Sequence, residues 1–95
     1  MELKRVVVTG LGALTPIGNN IQEYWDALKS GKSGCAPITY FDTEKFKTKF
    51  ACEIKNFDPL EHFDRKEARK LDRFAQYALV SSDEAIIDAG INLDE

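Results

Sequence analysis

The chain opens on a continuous apolar run, Val6-Val7-Val8, flanked by Arg5 and Thr9 and closed by Gly10. A β-branched run of this kind, ended by glycine, predicts a buried strand over residues 5–9. Gly10-Leu11-Gly12 then permits a tight turn or a close backbone approach, and Thr15-Pro16-Ile17-Gly18 has turn chemistry. Asn20 reads as a helix N-cap, with Glu23 completing a capping box. Ile21, Trp25 and Leu28 recur at i, i+4 and i+7, so they share one face of a short helix. Gly31 is its expected C′ stop, with Lys29 in the last turn.

Residues 32–40 read as a loop, carrying Ser33, Gly34 and Pro37. An alternating stretch comes next, with Phe46, Thr48, Phe50, Cys52 and Ile54 on one side and Lys47, Lys49, Glu53 and Lys55 on the other. That period of two predicts a half-buried strand with a lysine-rich solvent face, an edge strand guarded by its lysines. Asp58-Pro59 ends it. Asp64 with Glu67 gives a second capping box, opening one or two basic helical turns. A longer helix is expected over residues 72–89, stopped by Gly90. Ala75, Tyr77, Ala78, Leu79, Val80, Ala85, Ile86, Ile87 and Ala89 cover far more of its circumference than one stripe. Such a helix needs cover on several sides, which one other helix and about two strands hardly supply. The chain is therefore expected to be an incomplete domain, part of a larger protein.

Composition narrows the function classes. The chain's 95 residues allow one domain at most and a small core, and 43% apolar with 31% charged residues is the balance of a globular protein rather than a disordered tail. No apolar run approaches the roughly 18 residues of a membrane span, and Val6-Val7-Val8 is too short for the apolar part of a secretory signal. No membrane association and a cytoplasmic location are the expectations. The net charge of −3 gives no general attraction to nucleic acid.

Candidate chemistry is sparse. Val8-Thr9-Gly10-Leu11-Gly12-Ala13-Leu14-Thr15 approaches a dinucleotide-binding turn, but Thr15 replaces the third glycine and Pro16 stands where a helix should be under way. Nor is there a G-x-x-x-x-G-K-[ST] pattern. Cys35 and Cys52 read as two reduced, small apolar side chains, with a disulfide or a metal site as the alternatives. A Cys35–His62 nucleophile pair is the one catalytic reading available, since His62 is the sole histidine; lone residues of both types are usually structural. No nucleophile elbow supports a serine mechanism.

The distribution of charge says more than its sum. Between Arg65 and Arg73 five basic residues face two acidic ones, on an otherwise acidic chain. Lys66, Arg69, Lys70 and Arg73 stand at i, i+3, i+4 and i+7, so one continuous helix would put all four on one face. A solvated face balanced by Glu67 and Asp72 is one reading. The other is docking of an acidic partner, which would explain tolerating like charges that repel along a helix.

Several segments together resemble one family. Arg5-Val6-Val7-Val8-Thr9-Gly10-Leu11-Gly12 and Thr15-Pro16-Ile17-Gly18-Asn19 are similar to the opening of the β-ketoacyl-acyl carrier protein synthases. Trp25-x-x-Leu28 with Gly31-Lys32-Ser33-Gly34, Phe41-Asp42 and Phe50-Ala51 continue the match in order. Arg65-Lys66-Glu67, Arg69-Lys70, Asp72-Arg73-Phe74-Ala75-Gln76-Tyr77-Ala78-Leu79, Glu84-Ala85 and Asp88-Ala89-Gly90 resemble the type II branch. Cys52, where glycine is common, and Cys35-Ala36, where apolar residues are usual, are mild departures.

The resemblance implies an α/β chain, residues 1–95 being the N-terminal segment of the first half of a thiolase-like layered α-β-α-β-α fold. It implies elongation of fatty acyl chains by decarboxylative condensation with malonyl-acyl carrier protein, in an enzyme that is usually dimeric. A polyketide ketosynthase subunit and a non-enzymatic carrier-protein-binding module are the rival readings. The family's nucleophilic cysteine and both histidines match nothing here, so the chain carries no catalytic residue and is expected to be inactive alone. No cofactor or metal is implied. Lys66, Arg69 and Lys70 fall on positions where the family receives its acidic carrier protein, and Arg73 extends that stripe by helical spacing.

Overall fold

The computed structural model describes residues 2–94. Its first helix, α1 (Ile21–Ser30), begins where its cap predicts: the Asn20 Oδ1 accepts the Glu23 N–H at 2.9 Å. The reciprocal bond closes one residue early, since the Glu23 carboxylate accepts from Asn19 rather than Asn20. Gly31, at φ 72°, ends the helix in the left-handed conformation, and the Gly31 and Lys32 N–H groups reach back to the carbonyls of Leu28 and Ala27. Ala27 is buried, while Trp25 and Leu28 on the expected face stay substantially exposed.

Strands are scarcer and placed differently than the alternation predicts. Within the expected loop lies β1 (Cys35–Pro37), antiparallel to β2 (Phe50–Cys52), the only sheet among the described residues. Of the long alternating stretch only β2 is strand, and its phase is reversed. Phe50 is 62% exposed and Cys52 is exposed, whereas Ala51 and Glu53 are half-buried. The reason is polar. Glu53 takes the Thr39 N–H and hydroxyl, and the Lys55 ammonium donates to the carbonyls of Pro16, Gly34 and Glu53. Lys49 similarly holds the carbonyls of Thr43 and Glu44. These lysines satisfy loop carbonyls instead of guarding a sheet edge.

After a 3-10 turn (Pro59–Glu61) come α2 (Arg65–Lys70) and α3 (Arg73–Ala89). Asp64 caps α2 through the Glu67 N–H at 2.7 Å, and Gly90 stops α3 at φ 70°.

The amino-terminal run departs most from expectation. Residues 5–9 form no strand, and Val6 is 89% exposed. A strand is defined by its ladder, and no described strand lies beside this one. The residues after it are better held. Gly10 and Gly12 lie flat on α3: a Cβ at Gly10 would stand 2.2 Å from the Ala85 carbonyl oxygen, and one at Gly12 only 1.9 Å from that of Ser81. An extended chain advances about 6.6 Å per two residues, and a helix about 6 Å per four. The Gly-x-Gly spacing therefore matches the small-residue row Ser81, Ala85, Ala89. Beside that row the carboxylates of Asp88 and Glu84 accept the N–H groups of Leu11 and Ala13, each at 2.9 Å. The other Glu84 oxygen accepts from Ile21, the first residue of α1, also at 2.9 Å. One carboxylate thus joins the extended segment, α1 and α3, and sits at the positive end of the α1 dipole.

Little is enclosed. Ala27 is the one buried apolar residue among those described, and Phe74, Leu79 and Ile87 stay exposed at separate angles around α3. The radius of gyration is 17.0 Å, against about 13 Å for a compact chain of this size. The accessible surface is 8051 Å², against about 5,500 Å² from the scaling for folded monomers of 10.7 kDa. The expected shortage of cover over α3 is therefore present in the structure.

Candidate functional site

The basic island is built on the corner between α2 and α3. Ala68, on the side of α2 away from Lys66, Arg69 and Lys70, is half-buried, and its carbonyl accepts the Gln76 side-chain N–H at 3.0 Å. Gln76 also reaches the Leu71 carbonyl at 3.4 Å and is only 4% exposed, so it pins the corner from inside. Outside stand Lys66, Arg69 and Lys70, exposed and without an ion-pair partner among the described residues. Their spacing over one helical turn projects three cations together.

The helical spacing that links Arg73 to that face is interrupted. A stripe of all four cations needs one continuous helix, but the backbone breaks at Leu71, which is extended at φ −104° and ψ 130°, and Asp72 then begins α3. An N-cap is non-helical by nature, so a helix starting at Asp72 cannot continue one ending at Lys70. Arg73 instead lies 5.9 Å above the Phe57 ring, a cation–π contact. Phe57 meets Tyr77 edge-on at 5.2 Å and stacks on His62 at 5.5 Å.

Arg73 and Phe57 also line an open cleft with Pro37, Tyr40, Glu53 and Lys55. Within it the Tyr40 hydroxyl donates to the Ile54 carbonyl at 3.1 Å and lies 3.4 Å from the Tyr77 hydroxyl. The Tyr77 hydrogen bond raises the Tyr40 pKa above its ordinary 10.0; slight burial and the charges of Tyr77 and Glu53 act the same way, against Arg73. The stability this contributes is fully present below the unfolded value and is lost as pH rises through the higher folded one. Tyr77→Phe is expected to lower the Tyr40 pKa, read from phenolate absorbance. An unchanged titration would count against the hydrogen bond as its main cause.

The candidate nucleophile pair is not assembled: no hydrogen bond joins Cys35 to His62 among the described residues, and His62 stacks on Phe57 instead. Cys35 lies opposite Cys52 across the two strands, an arrangement that spacing alone did not reveal. Among the described residues no group of three His, Cys, Asp or Glu side chains is placed to hold a metal.

Residues 3–95 match the family described as "Beta-ketoacyl synthase, N-terminal domain". The chain belongs to the β-ketoacyl synthase family. It is 50% identical over 95 residues to a 3-oxoacyl-[acyl-carrier-protein] synthase 2 of Synechocystis, covering 100% of this chain and 23% of that protein. The protein of the same name from Staphylococcus aureus is 48% identical over 92 residues, covering 97% of this chain and 22% of its own length. The Coxiella burnetii counterpart is 46% identical over 95 residues, covering 100% and 23%. Among solved structures, the ishigamide ketosynthase/chain length factor superposes with a TM-score of 0.79 at 38% identity, over 93% of this chain and 22% of that one. The α/β architecture is thus the N-terminal part of the thiolase-like ketosynthase fold. The chain spans less than a quarter of the length of the curated relatives it matches.

Proposed function

We propose that this chain is the N-terminal segment, residues 1–95, of the first thiolase-like half of a 3-oxoacyl-acyl carrier protein synthase that elongates fatty acyl chains. In this reading the complete protein is a cytoplasmic homodimer that condenses an acyl group with malonyl-acyl carrier protein. The segment supplies scaffold and a docking face for the acidic carrier, and no catalytic group. The observation that carries the docking role is the exposed triad Lys66, Arg69 and Lys70 on α2, which has no ion-pair partner among the described residues. It stands in a chain whose relatives are named for acyl carrier protein. Exposed cations of this kind speed encounter and fix orientation more than they add affinity. Arg73, which also lines the cleft, is the fourth cation of this docking reading.

Footprinting of the full-length synthase tests this. Carrier protein is expected to slow amine labelling of Lys66 and Lys70 while Lys47, exposed elsewhere, reacts at an unchanged rate. Equal labelling of Lys66 and Lys70 with and without carrier would contradict it.

A polyketide ketosynthase subunit is the second reading, with the ketosynthase/chain length factor match in its favour. The 50% identity to a 3-oxoacyl synthase against 38% to that structure supports the fatty-acid assignment. The uncovered surface argues against a self-standing binding module. Isolated, the 95-residue chain is expected to lack a cooperative denaturant transition and to leave Trp25 fluorescence changing gradually. A single sharp transition would favour the module.

A further inference from the structure

The two cysteines that the proposed activity leaves unused face one another. Cys35 and Cys52 are register partners at the end of the β1–β2 pair, and both are free and exposed. The kind of pairing is set by the neighbouring bonds. The Ile38 N–H donates to the Lys49 carbonyl at 3.0 Å, one step beyond the Pro37–Phe50 pair, so residues 38 and 49 form a hydrogen-bonded pair. Antiparallel pairs alternate in type. Residues 36 and 51 are then hydrogen-bonded, and Cys35 with Cys52 is a non-hydrogen-bonded pair. Two details agree. The Cys35 N–H turns away from β2 to the Ser33 hydroxyl at 3.2 Å, and Pro37, which has no N–H, occupies the same phase without loss.

That pair type brings Cα atoms to about 4.5 Å, with both side chains on one face. A disulfide accepts Cα separations of about 4.4–6.8 Å. Bridging therefore requires rotation of the side chains and no separation of the strands. The backbones are held at this end independently of the short sheet, because Lys55 donates to the carbonyls of Gly34 and Glu53, the residues flanking the two cysteines, at 2.7 and 2.9 Å.

We infer that Cys35 and Cys52 form a thiol–disulfide exchange site, oxidised to a cross-strand disulfide by low-molecular-weight disulfides. One cysteine thiolate attacks a sulfur of the reagent, forming a mixed disulfide and expelling one thiolate. The second cysteine attacks the protein sulfur of that mixed disulfide and expels the other. The two cysteines lose their thiol protons and are oxidised; the reagent is reduced to two thiols. Exposed disulfides of this kind are readily reduced again, so the site switches reversibly. The disulfide would close residues 36–51 into a loop beside the cleft that Pro37, Tyr40 and Glu53 line.

The test treats the native, full-length protein with oxidised glutathione, alkylates the remaining thiols and maps the cysteine peptides. The expected result is loss of both thiols, a Cys35–Cys52 linked peptide, little glutathione retained on either residue, and full reversal by dithiothreitol. Cys35→Ser, and separately Cys52→Ser, should then accumulate glutathione on the remaining cysteine, because the second attack is gone. Stable glutathione adducts on both cysteines of the unsubstituted protein would overturn the inference. So would a linked peptide that forms only in denaturant.

Discussion

Gly12→Val is expected to lift the extended segment off α3 and to give the largest stability loss of any single substitution in this region. The new Cβ would meet the Ser81 carbonyl oxygen at 1.9 Å and the Ala85 nitrogen at 2.9 Å, both backbone atoms of a helix that cannot swing aside. Overpacking of this kind costs about 3 kcal/mol, and retreat of the segment also breaks the Ala13–Glu84 bond, worth about 1.5 kcal/mol or more with a charged acceptor. The denaturant midpoint of the full-length protein should fall accordingly. Gly31→Ala separates cause from cause: nothing lies within 4 Å of its Cβ position, and its φ of 72° alone should cost about 1–2 kcal/mol. Glu84→Gln keeps one acceptor oxygen where two are used, and is expected to cost about 1.5 kcal/mol. Equal midpoints for Gly12→Val and Gly31→Ala would show that the close approach does not matter.

The features legible in the sequence were local ones. Asn20, Gly31, Asp64 and Gly90 each set a helix boundary through bonds to residues within a few positions, so their meaning travels with the chain. Strands depend on distant partners. The Val6-Val7-Val8 run has the composition of a strand and lies beside none, and the reversed phase of β2 comes from Glu53 reaching Thr39, which alternation cannot encode. The Gly10–Gly12 seam had a signal in the small residues Ser81, Ala85 and Ala89 at i, i+4, i+8. Recognising it required knowing that an extended segment, and not a helix, would lie there. For the basic face, Lys66, Arg69 and Lys70 were readable from helical spacing. The spacing that joined Arg73 to them assumed a continuous helix, and the extended backbone at Leu71 interrupts it. The Cys35–Cys52 pairing needed the strand register, which no local pattern supplies.

The second large effect is functional. Lys66, Arg69 and Lys70 of α2 have no ion-pair partners among the described residues, so reversing two of them removes nothing the fold uses while turning a net attraction into repulsion for an acidic carrier. Screening should shrink the difference as ionic strength rises, because the groups are exposed and the Debye length falls to about 3 Å at 1 M salt. A purely structural role would show neither the salt dependence nor a preference for one form of substrate.

The most direct measurement compares kcat/KM of the full-length synthase and its Lys66→Glu/Arg69→Glu variant towards carrier-linked and carrier-free acyl thioesters. The docking account predicts about a tenfold or greater loss with the carrier-linked substrate, roughly 1.4 kcal/mol or more, with the carrier-free rate and the thermal midpoint unchanged. Equal losses towards both substrates, or no loss towards either, would contradict it.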